Sequence, residues 1–149
     1  MKAHNPMVML REMAEEHFCE TTRMLGRVQH RLQEARAQHR QLENYEQEYQ
    51  CSLRKDMMER GLSAVDLFNY QSFIMSLNQV VKQHEQHVAG CEKAVDQAKV
   101  NWKEKKQRLN AFETLLARRE RAQALIQSRQ EQKLMDEFAQ RAGLKRERL

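Results

Sequence analysis

Arg60-Gly61-Leu62-Ser63 interrupts an otherwise continuous helical pattern that runs from about residue 7 to about residue 142. Gly61 suits the left-handed conformation that ends a helix, because it has no Cβ to clash with the following carbonyl. Ser63 suits the N-cap of the next helix, and Asp66, three residues on, makes a capping-box-like partner. The outer ends carry comparable signals. Asn5-Pro6 offers an N-cap followed by proline at the first helical position, and Gly143, followed by Lys145, Arg146, Glu147 and Arg148, reads as a fraying end. These marks predict two helices, about 6–60 and 63–142, joined by a turn at 60–63.

The composition agrees. The chain has 149 residues, of which 32% are charged, with four glycines, one proline and a mean hydropathy of −0.91. Such a chain cannot bury a thick core. It is rich in residues that lose little side-chain freedom in a helix, so an all-α fold of long helices is expected.

Heptad spacing tells what the helices do. In the second, Leu67, Ile74, Val81, Val88, Val95, Trp102, Leu109 and Leu116 form one apolar series. Its companion runs Tyr70, Leu77, His84, Cys91, Ala98, Lys105, Phe112, Arg119, Ile126. The first helix supplies Met7, Ala14, Thr21, Val28, Ala35, Leu42 and Tyr49, with Phe18, Leu25, Leu32, His39 and Leu53 as the second line. Apolar residues at this period make the seam of a left-handed supercoil. The expected fold is therefore a long two-helix antiparallel coiled-coil hairpin, spanning residues 1–149 as a single domain. Folding back at Gly61-Leu62 pairs residues whose numbers sum to about 123. That register sets Thr21 against Trp102, Ala14 against Leu109, Leu42 against Val81 and His39 against His84. The paired part would span on the order of 80 Å, leaving an unpaired tail from about 119 to 149 whose helix adds roughly 35 Å. Leu125, Ile126, Leu134, Met135, Phe138 and Ala142 keep a helical apolar spacing in that tail, which predicts a partner for it.

The net charge of +5 is uneven. Residues 1–102 carry 13 basic and 14 acidic side chains, whereas 103–149 carry 13 and 7. Charge alone does not choose among nucleic acid, anionic lipid and acidic protein. Cys19, Cys51 and Cys91 lack CxxC spacing and nothing at the N-terminus resembles a secretion signal, so a reducing cytosol is expected. No stretch approaches the roughly 20 apolar residues of a membrane span, so membrane association is expected only through partners.

No Gly-rich phosphate loop, nucleophile elbow or HExxH occurs, and a two-helix hairpin offers no cavity for catalysis, so no enzyme, catalytic residue or cofactor is expected. His84-Glu85-Gln86-His87, with His39 facing His84, is the nearest approach to a metal set. No cysteine or carboxylate clearly completes it in the sequence, so no metal is expected there and a polar seam layer or binding-face histidine is the reading instead. Cys51 and Cys91 fall at different levels of the hairpin, which disfavours a disulfide.

Some apolar residues are surplus to the seam. Tyr45, Phe73 and Val80 each sit just before a seam position, and in an antiparallel pair those flanks share one side. With Gln38, Leu42, Tyr49, Leu77 and His84 they form one contiguous stripe. It is either a partner-binding face or a core widened by a local stutter. The tract Trp102-Lys103-Glu104-Lys105-Lys106-Gln107-Arg108-Leu109 is basic, but Trp102 belongs to the seam, so no stacking platform accompanies it and nucleic acid is not expected.

Asn69-Tyr70-Gln71-Ser72-Phe73-Ile74, the tract from Trp102 to Leu109, and Met135-Asp136-Glu137-Phe138-Ala139-Gln140-Arg141-Ala142 stand in an order and spacing that resemble the FliJ family. Arg23, Leu25-Gly26, Leu42, Tyr45, Glu48 and Tyr49 agree with it. The likeness covers nearly the whole chain, and is weakest in the first dozen residues and at 58–66.

The resemblance implies a non-enzymatic component of the flagellar type III protein export apparatus, folded like the γ stalk of rotary ATPases. Its implied partners are the hexameric export ATPase, which it would stimulate, the cytoplasmic domain of the export gate, and export chaperones. The implied place is the cytoplasm, peripheral to the inner membrane at the flagellar base. The gate-contacting face of the family, carried across, lands on Gln38, Leu42, Tyr45, Tyr49, Phe73, Leu77, Val80 and His84. Seating in the ATPase ring is expected of Met13, His17, Phe18, Met24, Met135, Phe138 and Arg141. A stalk of a virulence-type secretion system and a basic helical nucleic-acid binder are the alternatives.

Overall fold

The computed structural model describes residues 5–147. They form two helices, α1 (Pro6–Glu59, 54 residues) and α2 (Ala64–Glu147, 84 residues), and no strand occurs among them. The helices start where their caps predict. Asn5 Oδ1 accepts the amide of Met7 at 3.0 Å, and Ser63 Oγ accepts that of Asp66 at 3.2 Å. Each bond satisfies one of the amides that the first helical turn leaves without a partner. Gly61 has φ 65° and is the only residue with a positive φ among the described residues. The other predicted stop does not hold. Gly143 keeps a helical φ, so α2 runs on through it to Glu147 instead of ending at 142. A glycine ends a helix only when its backbone turns left-handed, and Lys145 and Arg146 in the last turn complement the helix dipole.

The chain forms two compact units, Cys19–Glu104 and the pair of segments Met1–Phe18 and Lys105–Leu149. In the Cys19–Glu104 unit, α1 and α2 pack antiparallel on either side of the turn. Leu32, Ala35, Leu77, Val81, Val95 and Ala98 are buried, and between them lie half-buried residues at alternating steps of three and four. No large side chain is fully buried among the described residues, as expected of a seam only two helices deep. Cross-helix contacts fix the register. Trp102 Nε1 donates to Thr22 Oγ1 at 3.0 Å, the rings of His39 and His84 stack 6.0 Å apart, and Arg36 meets Glu92 at 3.2 Å. Near the turn, the Tyr70 hydroxyl donates to Asp56 Oδ2 at 2.7 Å.

In the other unit, Ala14 and Leu109 are buried, with Met7, Arg11, Phe18, Lys105, Phe112 and Leu116 half-buried around them. Arg119 donates from Nη1 to Asn5 Oδ1 at 3.3 Å. From Ala117 to Glu147 every side chain is exposed, Arg119 and Ile126 of the extrapolated heptad series included. The three cysteines are free, Cys91 half-buried and the others exposed.

Candidate functional site

The stripe expected on one flank of the hairpin lies within the Cys19–Glu104 unit. Tyr45 is 49% exposed, Phe73 41% and Val80 46%, large fractions for apolar side chains next to a packed seam. The seam steps past all three without a skip, through His39, Leu42, Glu46, Tyr49 and Leu53 on α1 and Leu67, Tyr70, Ile74, Leu77, Val81 and His84 on α2. A local stutter is therefore absent, and the three residues flank the core instead of widening it.

Tyr49 is the centre of the stripe. Its ring stacks on Phe73 at 4.4 Å across the two helices and meets Tyr45 at 5.8 Å and Tyr70 at 6.0 Å. Such pairs hold their partners in place by about 0.5–1.5 kcal/mol beyond area burial, so the exposed rings are presented on a fixed base. One step along, His84 Nε2 and Gln38 Oε1 lie 3.2 Å apart. Gln38, Gln41, Leu42, Tyr45 and His84 line a shallow groove there. Leu77 is buried at 8% exposure, so it supports this face from beneath and offers no surface of its own.

The residues expected at the ATPase ring separate. Met13, His17, Phe18, Met135, Phe138 and Arg141 lie in the unit of the two terminal segments, whereas Met24 belongs to Cys19–Glu104. Met13 and His17, with Leu10, Ala14, Lys105, Arg108 and Phe112, line a small groove with an apolar floor and a basic rim. Phe18 is half-buried, and Met24 and Arg141 are exposed. Phe138 and Met135 are 75% and 70% exposed on the part of α2 that has no intramolecular cover.

Residues 2–148 match the family model described as flagellar FliJ protein. The flagellar FliJ protein of Escherichia coli (strain K12) is 38% identical over 146 residues, which cover 98% of this chain and 99% of that protein. The chain belongs to the FliJ family. The flagellar FliJ protein of Salmonella typhi agrees, at 37% identity over the same share of both chains. FliJ-family membership thus rests on the full length of the chain, from the first turn of α1 to the last turn of α2.

Sequence reasoning missed several residues at these surfaces. Gln41 lines the stripe's groove, and Tyr70 extends its aromatic cluster. Gln41 lies one helical turn before Tyr45, a spacing that could have drawn attention to it. Leu10 and Arg108 were hidden for another reason, because the groove they share exists only once the two segments pack. Among the described residues no helix is long and apolar enough to cross a membrane.

Proposed function

We propose that the protein is a non-enzymatic coupling component of the flagellar type III protein export apparatus. It binds and stimulates the hexameric export ATPase, docks on the cytoplasmic domain of the export gate, and also receives export chaperones. It works in the cytoplasm and meets the inner membrane at the flagellar base only through these partners. The observation that carries this reading is the aromatic stripe around Tyr49. Tyr45, Phe73 and Val80 are presented outward from a regular seam that has no structural use for them. A protein that served only as a spacer would place polar residues on those flanks.

In this reading the stripe of Gln38, Leu42, Tyr45, Tyr49, Phe73, Val80 and His84, seated on Leu77, takes the gate. Its exposed rings are the anchors and Gln38 and His84 supply orienting polar atoms. The ATPase ring takes Met13, His17, Phe18, Met135, Phe138 and Arg141, with Met24 adding an exposed thioether from the other unit. Exposed methionines adapt to a surface that turns or steps, which suits a contact inside a ring of repeated subunits. ATP turnover then remains with the ring, and this chain contributes contacts alone.

Calorimetric titration against the purified gate domain tests the assignment. Tyr45→Ala and Phe73→Ala are expected to weaken binding at least tenfold, about 1.4 kcal/mol, while Phe138→Ala leaves it unchanged. Equal binding by all three variants would remove the gate from this face.

A further inference from the structure

The flank opposite the stripe carries an electrostatic mismatch. Arg36 and Glu92 each follow a seam residue directly and join the two helices at 3.2 Å. One heptad closer to the turn, the same flank sets Glu43 of α1 against Glu85 of α2. Facing positions beside a coiled-coil seam ordinarily hold opposite charges, and like charges there are destabilising. Glu85 makes no ion pair among the described residues, and Glu43 pairs only with His39 of its own helix, at 2.8 Å. One ring nitrogen of His39 and one carboxylate oxygen from each of Glu43 and Glu85 all lie within 4.8 Å of one another, and Nε2 is the nitrogen that faces Glu43.

We propose that His39, Glu43 and Glu85 bind one divalent transition-metal ion, zinc being the probe of choice, and that the ion clips α1 to α2. An imidazole and two carboxylates suit zinc and its neighbours in the first row. The ion supplies the positive charge that neither helix provides between the two glutamates. Bonds of about 2.0–2.2 Å set tetrahedral ligand atoms about 3.3 Å apart, so His39 and Glu43, 2.8 Å apart, need only a small adjustment and Glu85 closes the remaining gap by at most roughly 1.5 Å. Glu43 and Glu85 are exposed and free to make that change by rotation. Three protein ligands leave the fourth position to water. Binding through Nε2 places the ring proton on Nδ1, and Nδ1 of His39 is buried without a hydrogen-bond partner. The lack of an acceptor behind the ligand sets the affinity about 10–100-fold below that of a site with one. The sequence alone suggests His84 and His87 as companions for His39. The structure sets carboxylates there instead, while His84 stacks on His39 and lies 3.2 Å from Gln38.

The test uses the full chain and zinc chloride, with binding followed by calorimetry and unfolding by circular dichroism. One zinc per chain is expected, with Tm raised by about 5–10 °C at a metal concentration about 100-fold above Kd. Glu85→Gln removes the only ligand from α2 and should weaken binding at least tenfold and abolish the Tm rise. Both glutamates are exposed, so Glu43→Gln and Glu85→Gln should keep the helical content of the parent. Cys91→Ser is the control, because Cys91 Sγ lies 3.8 Å from His87 Nε2 and offers a rival pair. Absence of zinc binding would overturn the proposal. Binding that survives Glu85→Gln and fails in Cys91→Ser would overturn it as well, by moving the ion to His87 and Cys91.

Discussion

Tyr49 of α1 and Phe73 of α2 stack at 4.4 Å with their planes 29° apart, which joins the seam to the exposed flank. Tyr49 belongs to the seam and is half-buried, whereas Phe73 lies just outside it. The pair therefore contributes to stability and to the exposed face at once. Phe73→Ala should lower stability by about 0.5–1.5 kcal/mol in thermal or urea unfolding, the range for an aromatic pair. Val80→Ser removes apolar surface from the same face without touching the stack, and should leave Tm within about 1 °C while weakening a partner bound there. Equal Tm losses in both variants would contradict this division.

The bond from Tyr70 to Asp56 has a pH signature. The hydroxyl donates to the carboxylate at 2.7 Å, and that hydrogen bond, with desolvation and the charge of Asp56 adding to it, raises the phenol above its ordinary value of 10.0. A pKa raised by folding means that the folded state favours the neutral phenol. The stabilising contribution is complete below pH 10 and is lost as pH climbs through the folded value. Stability measured from pH 8 upward should therefore fall in the parent more steeply than in Tyr70→Phe. Parallel profiles would show that the bond does not persist in solution.

Two glycines should respond in opposite directions to alanine. Gly61 sits at φ 65° with open space around it, so strain and not crowding opposes a side chain there. Gly61→Ala should cost about 1–2 kcal/mol. Gly90 lies inside α2, also with nothing within 4 Å of an added Cβ. Gly90→Ala should stabilise by about 0.5–1 kcal/mol. Urea unfolding of the two variants beside the parent checks both signs.

Much of this is legible in the sequence. Ser63 and Asp66 announced the second helix, and the heptads placed His39 against His84 because packing in a two-helix seam is local and periodic. Thr21 was expected opposite Trp102, and at that level of the seam the neighbouring Thr22 accepts the indole N–H at 3.0 Å. Arg11, Glu46 and Asp56 are half-buried in the seam as well, because the three-four stepping of α1 runs through all of them whatever their polarity. The end of α2 was misjudged at Gly143, where local propensity did not dictate the backbone angle. Glu43 against Glu85 was not legible, because each looks like an ordinary solvated charge until the register brings them face to face.

The central claim is that separate parts of one chain serve the ATPase and the gate. Phe138 is 75% exposed on the uncovered part of α2, so Phe138→Ala should leave the fold intact. The most direct measurement is steady-state ATP hydrolysis by the cognate export ATPase, with and without this protein, beside Phe138→Ala and Tyr45→Ala. The parent and Tyr45→Ala should stimulate turnover alike, and Phe138→Ala should lose most of that stimulation. No stimulation by the parent at saturating concentration, or equal stimulation by all three, would contradict the account.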